Sequence, residues 1–90
     1  MTQTTTQRGP ALLTPAMEAR KRRNRELLED YVRLMDEAPD RSRTPVRAHL
    51  MKRHGIPTVA GYYYALQSAL DDGDTPVGLK EGWRRHQRTR

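Results

Sequence analysis

Apolar residues recur every three to four positions along three stretches of the chain, which is the pattern of helices with one buried side. The first helix is predicted to start at Thr14-Pro15, because Thr caps free backbone N–H groups and Pro suits the first helical position. It runs to about Glu37 and ends at Ala38-Pro39, since proline disfavours helical geometry in the residue before it. The side predicted to be buried consists of Leu28, Tyr31, Val32 and Met35, widened by Leu27 and Leu34.

A second, shorter helix is predicted from about Pro45 to His54. Thr44-Pro45 repeats the pairing of a capping residue with proline at the first helical position. Val46 and Leu50 have the spacing of residues that point inward. Gly55 follows as the usual residue for a left-handed helix end.

A third helix is predicted over about Val59–Leu70, with Thr58 as its N-cap. Its residues suggest two opposite faces. The face expected to turn inward is formed by Val59, Tyr63, Leu66 and Leu70. The face expected to stay outside is formed by the small residues Gly61, Ala65 and Ser68, with Tyr64 at its edge.

The segments outside these helices define the predicted domain organisation. Residues 1–13 have no periodicity and contain Gly9-Pro10, which predicts a disordered arm. Residues 14–74 form the predicted domain, which is all-α with a long basic first helix and flexible termini. Residues 75–90 are predicted to be either a basic tail or a short wing-like extension that packs Trp83 on the core.

Composition narrows the range of partners. Only 34% of the 90 residues are hydrophobic, and the net charge of +6 with a pI near 10.3 favours polyanions such as nucleic acid. Arg far outnumbers Lys, which suits phosphate and guanine contacts, although a GC-rich genome would raise Arg without any function. The chain has no Cys, which excludes disulfides and Cys-based zinc sites.

Several function classes are not expected. No apolar run approaches the length of a membrane span, and the uncharged segment 1–7 does not resemble a signal peptide, so we expect a cytoplasmic protein without membrane contact. His49, His54 and His86 do not have the spacing of a metal site. No nucleophile–base pairing or phosphate-binding loop is present, so we expect no enzyme, no cofactor, no metal and no small-molecule substrate.

The segment 44–70, TPVRAHLMKRHGIPTVAGYYYALQSAL, resembles the helix-turn-helix of bacterial and phage transcription regulators and transposition proteins. In it, Leu50-Met51 precedes the turn, Gly55-Ile56 makes the turn, and Thr58-Val59 opens the next helix. With the preceding helix, the resemblance covers about half the chain. It implies a three-helix domain whose third helix enters the major groove of DNA.

Side chains on the third helix are the candidate contacts to DNA bases. The candidate base-contacting residues are Thr58, Tyr64, Gln67 and Ser68. Gly61 and Ala65 would let the helix backbone approach the groove closely, because their side chains are small. The small residues are also compatible with packing against another helix, and the three consecutive tyrosines are compatible with stacking on unpaired bases.

Basic residues at three places are candidate contacts to phosphates. They are Arg20, Lys21, Arg22, Arg23 and Arg25 on the first helix, Lys52 and Arg53 before the turn, and Arg84, Arg85 and Arg88 near the C-terminus. Tyr62 on the third helix is a further, uncharged candidate for a phosphate contact. Each phosphate that a protein neutralises steepens the salt dependence of binding. The alternative interpretation is that these charges are merely solvated helix ends.

These features together predict sequence-specific binding of double-stranded DNA, as a transcription regulator or as an accessory factor in recombination or replication. Most such proteins bind as dimers, and Leu27 and Leu34 lie off the main apolar stripe, where they could bury against a second subunit. Two alternatives stay open. One is a small phage or plasmid module that docks on host proteins, and the other is binding of RNA or single strands.

Overall fold

The computed structural model describes residues 14–87, which fold into four α-helices and contain no strand within that range. The helices are α1 (Pro15–Glu37), α2 (Arg43–Arg53), α3 (Val59–Asp71) and α4 (Val77–Gln87). The prediction of an all-α protein is confirmed. The arm predicted over residues 1–13 lies outside the described residues.

The limits of α1 are the predicted ones. The Thr14 side chain accepts a hydrogen bond from the Met17 N–H at 3.1 Å, and Pro15 occupies the first helical position. At the other end, the Ala38 N–H still donates to the Leu34 carbonyl at 3.3 Å, and the chain then leaves helical geometry before Pro39. Local capping chemistry therefore determines both ends of the longest helix.

Helix α2 begins earlier than predicted. Its N-cap is Ser42, which makes no side-chain capping bond, so Thr44 lies inside the first turn and is not the cap. The end of α2 follows the prediction. Gly55 has a φ of 68°, the Ile56 N–H donates to the Met51 carbonyl at 2.8 Å, and the Gly55 N–H donates to the Lys52 carbonyl at 3.4 Å. This pair of bonds defines a Schellman turn, which fixes the direction in which α3 leaves α2.

Residues 77–87 form a fourth helix, which neither alternative for this segment anticipated. The sequence predicts a tail or a wing-like extension here, because the segment has Pro76 and two glycines and ends in basic residues. The helix packs against the rest of the protein through residues that are not typical of a core. Gly82 and His86 are buried, and Trp83 packs on Tyr31 with ring centroids 4.9 Å apart. Trp83 therefore packs on the core, as the second alternative proposed, but from a helix.

Helix α1 lies at the centre, and α2, α3 and α4 each pack against it. The buried apolar residues form one continuous cluster: Leu27, Leu28, Tyr31, Val32, Met35, Val46, Leu50, Ile56, Tyr62, Ala65, Leu66 and Ala69. Leu27 is fully buried inside this chain, so it does not provide the second-subunit surface that its position suggested. Leu34 packs only partly against the same cluster.

Asp30 of α1 holds the end of α2. Its Oδ2 lies 2.9 Å from Arg53 Nε and 2.8 Å from His54 Nε2, and its Oδ1 accepts from Arg33 Nη2 at 3.0 Å. Burial alone would raise the pKa of Asp30, but the hydrogen bonds with Arg33 and His54 and the charge of Arg53 bring it below its ordinary value. The carboxylate thus ties the turn after α2 to the central helix.

Asp36 makes the same kind of contact with α4. Its Oδ1 lies 2.6 Å from His86 Nε2 and 3.0 Å from Arg85 Nη2. Hydrogen bonds with His86 and Arg85 hold the pKa of Asp36 below its ordinary value. Arg53-His54 at the end of α2 and Arg85-His86 in α4 are therefore each bound by one carboxylate of α1, and the two carboxylates are six residues apart.

Candidate nucleic-acid interface

Helix α3 buries a different face from the predicted one. The buried residues are Tyr62, Ala65, Leu66 and Ala69. Val59 and Tyr63, predicted to face inward, are 43% and 50% exposed, whereas Leu66 is buried and Leu70 partly buried as expected. The small side chains of Ala65 and Ala69 let α3 lie close to α1, since a bulky stripe at those positions would push the helices apart.

Two predicted contacts are therefore wrong. Ala65 is 1% exposed and serves helix packing, which was the alternative interpretation of the small residues, so it cannot approach a DNA groove. Tyr62 is 2% exposed, and its ring fills the core where a surface phosphate contact was expected. Gly61 is only half-exposed: a Cβ there would lie 3.0 Å from Thr58 Oγ1 and 3.4 Å from Ile56 Cγ2.

The uncovered side of α3 lies opposite this buried face. We call it the outer face of α3, and it consists of Ala60, Tyr63, Tyr64, Gln67 and Asp71. Tyr64 is 71% exposed, and Gln67 Nε2 donates to Asp71 Oδ1 at 3.0 Å. Helix α3 contains no Lys or Arg. The outer face therefore offers hydrogen-bonding groups and aromatic surface without positive charge.

The four residues predicted to contact bases remain accessible. Tyr64 and Gln67 lie on the outer face, Ser68 is half-exposed beside it, and Thr58 is exposed at the N-terminus of α3. The Thr58 side chain already accepts a hydrogen bond from the Gly61 N–H at 2.9 Å. Thr58 therefore acts first as a cap, and any contact to a ligand would share its hydroxyl group.

The basic cluster at the start of α1 divides into two groups. Arg20 and Arg22 are exposed, and Arg23 is half-exposed with its Nε donating to Asn24 Oδ1 at 3.2 Å. No described carboxylate lies within 4.0 Å of these three guanidinium groups. Their positive charge is therefore available at the surface.

Lys21 and Arg25, in contrast, fasten α1 to the end of α3. Lys21 Nζ lies 3.6 Å from Asp72 Oδ1 and 3.3 Å from Asp74 Oδ2, and Arg25 Nη2 lies 3.7 Å from Asp72 Oδ2. The Asp74 backbone N–H, followed by the charges of Lys21 and Arg25, lowers the pKa of Asp72 despite its partial burial. These two cations therefore already have anionic partners within the chain.

The other predicted phosphate contacts also divide into exposed residues and residues that already bind a carboxylate. Lys52 is exposed, Arg53 is engaged by Asp30, and Arg85 is engaged by Asp36. Arg84 Nη1 lies 3.4 Å from Glu81 Oε2 on the surface of α4. Arg88 lies outside the described residues.

A small cleft lies where α2, α3 and α4 meet over Tyr31. We call it the three-helix cleft; its volume is about 80 Å³. It is lined by Tyr31, Arg43, Arg47, Tyr62, Tyr63, Trp83 and Gln87. Arg47 Nη1 donates to the Tyr63 hydroxyl at 3.1 Å, Arg43 Nη2 to the His86 carbonyl at 2.6 Å, and Gln87 Nε2 to the Tyr31 hydroxyl at 2.8 Å.

Sequence reasoning missed this cleft. The spacing of Arg43 and Arg47 places two guanidinium groups on one side of α2, and this signal was available. The aromatic residues opposite them come from three separate helices, including the unanticipated α4. The convergence is therefore a product of tertiary packing.

Other kinds of site find no support in residues 14–87. No three His, Asp or Glu side chains of this part of the chain group as metal ligands would. None of its helices combines the length and apolarity needed to cross a bilayer. No family model, curated protein or solved structure shows significant similarity to the chain.

Proposed function

We propose that this protein binds double-stranded DNA in a sequence-specific way, with α2 and α3 as a helix-turn-helix. The observation that carries the proposal is the outer face of α3, whose residues are all exposed. The Gly55 turn sets α3 against α2 and leaves this face outside. A helix can read base edges only if one side of it remains bare along its length. A role as transcription regulator, or as accessory factor in recombination or replication, fits such binding.

The side chains on the outer face suit the edges of bases. Gln67 carries an amide that can donate and accept at once, the combination that pairs with adenine in the major groove. Its bond to Asp71 is at the surface, so a base can replace it at little cost. Tyr64 and Ser68 add hydroxyl groups on either side.

The positive charge that DNA binding needs comes from the neighbouring helices. Arg20, Arg22 and Arg23 of α1 and Lys52 of α2 are the predicted phosphate contacts without a carboxylate partner in the described range. Arginine and lysine at such positions supply sequence-independent affinity, while the uncharged α3 supplies discrimination.

A dimer remains part of the proposal, although Leu27 cannot form its interface. Leu34 is still partly exposed and lines a surface groove of about 270 Å³ with Pro45, Val46 and His49. Two copies joined there would place two α3 helices on half-sites of a palindrome. Recovery of a non-palindromic site by a monomer would contradict the dimer and leave DNA binding intact.

Docking on a protein is the second candidate, and exposed apolar surface favours it. Val59, Tyr63 and Tyr64 are each more than 40% exposed on a helix that lacks basic residues. Tyrosine is enriched at the centres of protein interfaces, because it combines a large apolar ring with a polar tip. A gel shift with random DNA at low salt separates the two candidates, since this second one predicts no retardation.

Selection of bound sequences from a random duplex pool is the decisive experiment. The recovered site is then compared with a scrambled duplex by fluorescence anisotropy, for the wild type and for Gln67→Ala and Tyr64→Ala. Loss of a bidentate base contact should remove about 1–3 kcal/mol of discrimination. Glu26→Ala, an exposed change on α1, is the control and should leave the preference unchanged. Failure to enrich any sequence, or full discrimination by Gln67→Ala, would refute the proposal.

A further inference from the structure

We propose that the three-helix cleft is an anion site that takes one phosphate group of the DNA strand lying beside α3, with Arg43 and Arg47 as its donors. This inference rests on the proposed function, because DNA supplies the phosphate.

Two arginines form the cationic wall of the cleft. Arg43 and Arg47 are one helical turn apart, so their side chains leave the same side of α2. The Arg47 guanidinium donates to the neutral hydroxyl of Tyr63, and no described carboxylate lies within 4.0 Å of it. A guanidinium has five N–H donors in a planar fork that matches two phosphate oxygens, and one bond to a phenol leaves most of them for a ligand.

The floor of the cleft is aromatic and buried. Tyr31 and Tyr62 are each 2% exposed, and burial raises the pKa of both hydroxyl groups, so they stay protonated and uncharged at neutral pH. Charge interactions are stronger beside such a low-dielectric wall than in open water. An anion in the cleft would therefore meet positive charge on one side and no competing negative charge from the tyrosines below.

The size of the cleft limits what it can hold. Its 80 Å³ corresponds to about three water molecules, at roughly 30 Å³ each. This is room for one tetrahedral oxyanion. The cleft is therefore suited to one such group of a larger ligand that lies mostly outside it.

The position of the cleft relates it to the outer face of α3. Tyr63 belongs to both, and it precedes Tyr64 directly and Gln67 by about one turn. A strand whose bases meet Gln67 would therefore carry its backbone past the opening of the cleft. This places a phosphate contact at Arg47, which belongs to none of the three basic groups identified in the sequence.

Trp83 provides a direct test, because it is the only tryptophan of the chain and lines the cleft. Its emission is followed while the wild type is titrated with the selected duplex. Separate titrations with inorganic phosphate show whether a free anion fills the same site. Arg47→Gln is compared with Arg33→Gln, which removes the same charge from the surface of α1 while Asp30 keeps its contacts with Arg53 and His54. Circular dichroism confirms that both variants are folded.

The expected result is a change in Trp83 emission on duplex binding that Arg47→Gln abolishes. One lost phosphate contact should lower the salt slope of log K by about 0.9, which at about 0.1 M salt corresponds to roughly eightfold weaker binding. Arg33→Gln should keep the emission change, and its salt slope and its affinity should stay closer to those of the wild type.

Two outcomes would overturn the inference, and they are distinguishable. If the wild type binds the duplex but Trp83 is silent and Arg47→Gln matches Arg33→Gln, the cleft is not a phosphate site and the proposed function stands. If the wild type binds no duplex at all, the proposed function fails. A Trp83 response to inorganic phosphate alone would then mark the cleft as a site for some other anion.

Discussion

Replacing Gly82 by alanine should destabilise the protein, although glycine is normally a poor residue inside a helix. Gly82 lies in the middle of α4, facing α1. A Cβ at this position would lie 2.6 Å from Val32 Cγ1 and 3.2 Å from Val32 Cγ2. Val32 is 7% exposed and β-branched, and a valine in a helix has only one strongly preferred χ1 rotamer, so its side chain cannot easily rotate away. Either α4 must move away from α1, or Val32 must leave its preferred conformation.

The magnitudes decide the sign of the effect. Gly→Ala inside a helix gains about 0.8–1.0 kcal/mol from backbone entropy. Inserting a methyl group into a packed contact costs about 1–3 kcal/mol. Gly78 is the matched control, because it is in the same helix and a Cβ there meets nothing within 4 Å. Gly78→Ala should therefore be neutral or stabilising, and the two variants should differ by about 1–3 kcal/mol.

Thermal unfolding followed by circular dichroism measures this difference. For a domain of this size, 1 kcal/mol corresponds to about 4–8 °C in Tm. Adding Val32→Ala should relieve the clash, so the two substitutions should couple in a double-mutant cycle. Equal stability of Gly82→Ala and Gly78→Ala would refute the close packing of α4 on α1, and with it the three-helix cleft.

Three further predictions concern local features. Gly55→Ala should lower the free energy of unfolding, measured in urea, by about 1 kcal/mol or more, because φ is 68° at this position. Gly55→Asn should lower it less, since asparagine tolerates the left-handed conformation better. Equal losses for the two variants would contradict the left-handed turn. Thr58→Ala should lower the free energy of unfolding by about 1 kcal/mol, because it removes the N-cap hydrogen bond of α3. An unchanged stability would contradict this hydrogen bond. The wild type should be more stable than Asp36→Asn above about pH 4, and this difference should disappear as pH falls through the lowered pKa of Asp36, because protonation removes the negative charge that Arg85 and His86 bind. A gap that stayed constant on acidification would contradict the ion pair with Arg85 and His86.

The outer face of α3 shows where sequence reasoning succeeded and where it failed. Tyr64 and Gln67 were predicted to be accessible, and they are. Tyr62 and Ala65 were placed on the wrong side, because α3 is apolar or small nearly all round and its periodicity admits two stripes. Only the need to fit against Leu27, Leu28 and Tyr31 of α1 selects between them.

The sequence by itself determined the local features: Thr14-Pro15 starts α1, Thr58 caps α3, and Gly55 ends α2 in a left-handed turn. Each depends on groups within a few residues, whose energies do not require the rest of the chain. Tertiary structure alone decided the rotation of α3, the helical state of α4 and the cleft between them. These depend on contacts between residues far apart in sequence, such as Gly82 against Val32 and Asp36 with His86, whose energy exists only once the helices have met.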